Sequence, residues 1–157
     1  MQHALQISRK IEYGLRAMVF LAAQPPEQVV PFREIAVRME VPQEFLAKIL
    51  KILVGSRLVK SARGARGGYR LGRPAREISM LDVIEAVEGP IKVNVCQDSH
   101  DACKLSRACT MYGVWKLGQQ RMLEVYRAAT LDKLAMSELR SSTEPRSVPA
   151  PLPAVAS

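Results

Sequence analysis

Cys96, Cys103 and Cys109 lie within the stretch "CQDSHDACKLSRAC" and are the only cysteines of a 157-residue chain. Their spacing is Cys-x6-Cys-x5-Cys. Three thiols complete neither two disulfides nor a four-sulfur tetrahedral site. Thiolates are soft metal ligands and good nucleophiles, so the chemistry open to the trio is metal binding or reversible oxidation. A disulfide framework is disfavoured by the odd count and by the expected compartment. No apolar run approaches the ~20 residues of a membrane span, and "MQHALQISRK" lacks the apolar core and cleavage site of a secretory leader. The expected location is the reducing cytoplasm, with no membrane partner.

Positive charge is the second chemical feature. Residues 1–73 carry 13 Lys and Arg against 5 Asp and Glu, and residues 74–157 carry 10 against 10, so the net charge of +8 arises in the first half. Such asymmetry calls for a polyanion, nucleic acid first and an anionic membrane surface second. Enzyme chemistry is not expected. The chain has no Ser/His/Asp set and no paired catalytic carboxylates, and its glycine-rich stretch Gly64–Gly68 lacks the following helix that a nucleotide loop requires.

The elements that must position these groups read as a mainly α fold: a winged helix-turn-helix with a small two-stranded wing and a long C-terminal dimerisation helix. Apolar residues at helical spacing, among them Ile11, Leu15, Met18 and Ala22, predict a first helix from Ile7 to Ala23 that Pro25-Pro26 stops. Ser8, Glu12 and Arg16 share one polar stripe of it. "PFREIAVRME" predicts a short second helix. A third begins near Pro42, with Phe45, Leu46, Ile49, Leu50 and Leu53 towards the core and Glu44, Ala47, Lys48 and Lys51 outward. Two helices about a tight turn, the second with a basic outer face, fit a helix-turn-helix. Leu58–Ser61 and Tyr69–Leu71 then flank Arg63-Gly64-Ala65-Arg66-Gly67-Gly68, a hairpin with arginines at its tip, the wing. Ser79 with Asp82 three residues on caps a linker helix that Gly89-Pro90 ends. Val93–Cys109 reads as a loop. From about Thr110 to Ala129 follows an amphipathic helix whose apolar stripe, including Met111, Val114, Trp115, Met122 and Val125, is wider than packing on one small domain requires. "TLDKLAMSEL" is a last short helix capped by Thr130, and the remainder, with four prolines, reads as disordered. The expected organisation is residues 1–76 as the DNA-binding domain, 77–92 as linker helix, 93–109 as cysteine loop, 110–140 as dimerisation helix and short helix, and 141–157 as tail.

Taken in order, "SRKIEYGLRAMVFLA", "VPQEFLAKIL", "RGARGGYRLGRP", "ISMLDVIEAVEGP", the three-cysteine loop and "TLDKLA" resemble the Rrf-two superfamily of bacterial transcription regulators, the group that includes IscR and NsrR. The resemblance covers about residues 5–135. It implies a homodimeric repressor or activator on a palindromic operator in double-stranded DNA. In many members an iron–sulfur cluster held by three cysteines and one other ligand governs binding, while some relatives lack the cysteines. The implied ligands here are Cys96, Cys103 and Cys109, for a 4Fe-4S or 2Fe-2S cluster whose nuclearity stays open. Soft thiolates at this long spacing suit a cluster better than zinc, whose structural sites favour pairs two to four residues apart. Some members take the fourth ligand from a histidine three residues after the last cysteine, where this chain has Tyr112. Others use a first-helix carboxylate reaching across the dimer, and "IEYGLRA" places Glu12 there. Glu12 could equally pair with Arg16 on its own helix. His100 is a third candidate, and His3 has no assigned role.

The resemblance also implies how DNA is read. Two recognition helices would enter successive major grooves ~34 Å apart, with the wings on the flanking minor grooves. Gln43, Glu44 and Lys48 would meet bases, Phe45 is expected in the core with a place near the groove as the alternative, and Ala47 offers only a methyl contact to thymine. Ser8, Arg9, Lys51, Arg63 and Arg66 are the phosphate or minor-groove candidates. Sensed signals would be nitric oxide, redox state or iron status. The alternative is a cluster-free repressor in which the three thiols oxidise among themselves.

Overall fold

The computed structural model describes residues 7–94, 96, 103–104 and 108–141, leaving aside the side chains of 137–141. His3, His100, Arg107 and the expected tail beyond residue 141 lie outside the described residues. Helix α1 spans Arg9–Ala22. It starts two residues later than the apolar pattern suggests because Ser8 is extended and its hydroxyl accepts the Ile11 N–H at 3.2 Å. Ile11, Ala17, Met18 and Leu21 are its buried apolar residues. Helices α2 (Phe32–Arg38) and α3 (Gln43–Gly55) each begin just after a proline, whose missing N–H costs nothing at a helix start. Between them Glu40 adopts φ 51, and the Val41 N–H turns back to the Ala36 carbonyl at 3.0 Å.

Strands β1 (Val59–Ala62) and β2 (Gly68–Leu71) pair antiparallel, Lys60 opposite Arg70 and Ala62 opposite Gly68. The wing is pinned to the body by a bridge between Val30 and Tyr69, whose two N–H···O bonds measure 2.8 and 2.9 Å. Gly68 permits this approach: a Cβ there would lie 2.1 Å from the Val30 carbonyl oxygen. A 3-10 turn at Ala75–Glu77 leads to α4 (Met80–Glu88), opened by the reciprocal Ser79–Asp82 capping box that the sequence predicts. Helix α5 spans Tyr112–Ala128 and α6 spans Leu131–Ser141.

One continuous core joins α1, α3 and α4 with Val30, Ile35, Val59 and Leu131. Fully burying each aliphatic side chain contributes about 1.5–3 kcal/mol before ordering costs. Leu131 is fully buried, and α6 packs on α1. The Leu131 N–H bonds the Ile78 carbonyl at 2.9 Å, and the Met80 N–H bonds the Ala129 carbonyl at 2.8 Å. The short helix grouped by sequence with the dimerisation helix therefore docks into the winged-helix body. Helix α5 is different, because none of its residues is buried.

Candidate functional site

The amphipathicity of α3 divides it cleanly. Leu46, Ile49, Leu50 and Leu53 are buried, while Gln43, Glu44, Ala47, Lys48 and Lys51 are exposed along the opposite face. Phe45 departs from the sequence expectation, being 47% exposed instead of part of the core. It sits in the first turn of α3, beside Tyr13, with ring centroids 6.3 Å apart. The outward face of α3 thus presents an aromatic beside its polar and basic groups.

Beyond α3, the wing turn carries Arg63 and Arg66, both exposed. The turn is closed by the Gly67 N–H to the Gly64 carbonyl at 2.9 Å, with Gly64 at φ 106, a left-handed conformation that favours glycine. Arg9 is exposed at the start of α1, and a hydrogen bond to Tyr13, with the nearby Glu12 charge, raises its already high pKa. Ser8 has other partners: besides capping α1, its hydroxyl donates to Glu88 at the end of α4. Lys10 reinforces that junction by donating to the Val87 carbonyl at 2.6 Å.

Glu12 pairs with Arg16 one turn on, and both side chains are about half exposed. Arg16 lies 5.9 Å over the Tyr13 ring and donates to the Met39 carbonyl at 3.4 Å, in the turn between α2 and α3. Glu12 is therefore one ion pair away from the helix-turn-helix corner. Sequence reasoning missed the Arg16–Met39 contact, since no local pattern signals a contact across 23 residues.

All three cysteines are free thiols; Cys96 is buried, and Cys103 and Cys109 are partly exposed. Helix α5 starts at Tyr112, not Thr110, and the Tyr112 N–H bonds the Cys109 carbonyl at 3.2 Å, so Cys109 belongs to the turn that opens the helix. Lys104 is exposed beside Cys103. Among the described residues, no three His, Cys, Asp or Glu side chains come together as a metal-holding group, so one protomer does not gather the trio with Glu12. The donor set itself suits iron and sulfide, being three soft ligands on one segment with no disulfide among them.

A helical body with a shared core, a two-stranded wing and an exposed face carrying Lys48 and Lys51 has the architecture of a winged-helix transcriptional regulator. Residues 7–137 match the model of the Rrf2 family, described as an iron-dependent transcriptional regulator, and the chain belongs to that family. Such regulators are not enzymes. The chain is similar to the HTH-type transcriptional regulator Rv1287 of Mycobacterium tuberculosis, 44% identical over 87 residues, which cover 55% of this chain and only 54% of that relative. Among solved structures it resembles CymR (YrzC), the global cysteine regulator of B. subtilis, with TM-score 0.69, 32% identity and coverage of 85% of this chain and 98% of that one. It also resembles T. potens IscR, with TM-score 0.69, 29% identity and coverage of 91% and 94%. Among the described residues no helix is long and apolar enough to cross a membrane.

Proposed function

We propose that the chain acts as a homodimer that reads a palindromic operator, its affinity set by an iron–sulfur cluster on Cys96, Cys103 and Cys109 and, across the dimer, Glu12. The observation that carries this reading is the location of the three free thiols. They occupy the segment between α4, which is packed into the DNA-reading body, and α5, several of whose large apolar side chains are exposed. Met111, Val114, Trp115, Leu117 and Val125 of that region are each at least 38% exposed, a stripe suited to burial against a second copy. When bound, a cluster supplies an iron centre that reacts with nitric oxide or changes redox state. The chain's own part is mechanical. Glu12 has two competing engagements, a ligand site on the partner and the Arg16 guanidinium on its own helix. Arg16 in turn holds the Met39 carbonyl at the corner that orients α3. Movement of Glu12 between them would reset that corner and with it the presentation of Gln43, Glu44 and Lys48 to bases, and of Arg9, Lys51, Arg63 and Arg66 to the DNA backbone or minor groove.

Protein purified without oxygen from iron-replete cells should be brown and contain iron and acid-labile sulfide. Cys→Ala replacement at all three positions should abolish both and uncouple operator binding from the signal. Unchanged operator affinity and unchanged effector response in that variant would refute cluster control.

A second reading is a thiol switch without a cluster. It is supported by Cys103 and Cys109, both free and partly exposed, and by likeness to CymR, the global cysteine regulator of B. subtilis. Colourless anaerobic protein with full activity, losing free thiols on peroxide treatment as its operator affinity changes, would favour it.

A further inference from the structure

We infer that the fold carries a second ligand site, at the root of the wing, for a small organic anion that bears a phosphate or carboxylate at one end and a hydrogen-bond donor at the other. A cavity of about 560 Å³ opens there. This lies within the ~300–1,000 Å³ typical of small-molecule sites. Four segments remote in sequence wall it: the end of α1 with the loop through Gln28, the strand pair at Lys60 and Arg70, the turn Gly72–Arg76, and Asp132 at the start of α6. None of the cysteines, no residue of α3 and no residue of the wing turn 63–67 lines it. It is therefore separate from both the proposed cluster site and the DNA face.

The lining has a definite polarity. Lys60, Arg70, Arg73 and Arg76 stand against two acids, Glu27 and Asp132. The arginines are paired with Glu27, Asp82 and Glu77 respectively, the last two at 3.5 and 3.7 Å. Exposed pairs of this kind are weak, and a guanidinium has five donors, so each can serve an incoming anion as well. Lys60 has no ion pair among the described residues. On the other side, Thr130 and the Lys133 N–H act on the Asp132 carboxyl, yet its Oδ1 atom is buried and has no hydrogen-bond partner of its own, and buried acceptors are rarely left so. It calls for an N–H or O–H. An operator phosphodiester fits poorly, having no donor for Asp132 and being repelled by both acids. A metal ion fits no better, since no three ligating side chains converge among the described residues.

Occupancy would bear on the wing. Lys60 and Arg70 face each other across β1 and β2, and the Gly72 N–H ties the strand end to the Leu58 carbonyl at 2.8 Å. A ligand bridging these cations to α6 would fix the angle at which Arg63 and Arg66 are presented.

The test is titration of the full chain with O-phospho-L-serine and with glycerol 3-phosphate, followed by amide chemical shifts and calorimetry, with ethyl phosphate as the donor-free control. The expected result is saturable binding by at least one of the two probes, with shifts centred on Glu27, Lys60, Arg70 and Asp132, and weaker binding of ethyl phosphate. Arg70→Gln and Asp132→Asn should each weaken it roughly tenfold or more, the usual scale for hydrogen bonds to charged groups. Lys60→Gln, on an exposed strand position, provides the same readout should Asp132→Asn loosen α6. Absence of saturable binding by both probes overturns the site. So do shifts centred on Lys48, Arg63 and Arg66, which would assign the phosphate to the DNA face, and affinity unchanged in the variants. Binding is measured without DNA, so this result is independent of the proposed cluster and operator.

Discussion

Replacing Arg63 and Arg66 together with glutamine should flatten the salt dependence of operator binding without unfolding the protein. Arg9, Lys48, Lys51, Arg63 and Arg66 are all exposed. If each neutralises one phosphate in both protomers, the complex makes about ten such contacts, and log K falls against log salt with a slope of about −9. Affinity then drops ~10⁵-fold between 50 and 200 mM salt. Without the wing arginines about six contacts remain, the slope becomes about −5, and the same salt step costs only ~10³-fold. The substitution leaves the hairpin intact, because the turn is closed by backbone atoms of Gly64 and Gly67 and neither arginine has an ion pair among the described residues. Fluorescence anisotropy on a labelled operator selected from random sequence, repeated at five salt concentrations, measures both slopes, and thermal melts verify the fold. A variant slope within about one unit of the parent would mean that the wing contributes no phosphate neutralisation.

Other consequences are equally accessible. Gly68→Ala should detach the wing from the body and destabilise the chain by roughly 2 kcal/mol or more, read as a lowered denaturation midpoint, because the added Cβ would lie 2.1 Å from the Val30 carbonyl oxygen. Glu40→Gly should stabilise it by up to about 1 kcal/mol in urea unfolding, since Glu40 holds φ 51 and relief of that strain outweighs the extra freedom of glycine in the unfolded chain. If α5 forms the proposed dimer contact, the parent should sediment as a dimer and Val114→Glu, at a 70% exposed position of α5, as folded monomers. Hydrogen bonds from the Thr130 side chain and the Lys133 N–H hold the Asp132 carboxyl below its ordinary value of 3.8. The folded pKa is depressed, so this contribution is present above the ordinary value and lost as pH falls through the lower, folded one. Stability measured from pH 5 downward should decline less steeply in Asp132→Asn than in the parent.

Much of this protein could be read locally. Helix periodicity located α1, α3 and α4, the Ser79–Asp82 box marked where α4 begins, and the glycine-rich stretch between two short apolar runs placed the hairpin within a residue of its strands. The sulfur trio and the one-sided charge were explicit in composition alone. These features depend on caps, φ preferences and side-chain alternation, which act over a few residues. Tertiary structure decided what no short window contains. Phe45 satisfies the apolar period yet points outward, because burial depends on whether a neighbouring element covers that turn. Ser8 carries a hydroxyl that could meet phosphate, but Glu88, 80 residues away, engages it. Helix α6 follows α5 in the chain yet packs on α1, since Leu131 finds its cavity in the body. The Arg16–Met39 contact and the cleft at the wing root arise in the same way, from segments that only the packed core brings within reach of one another.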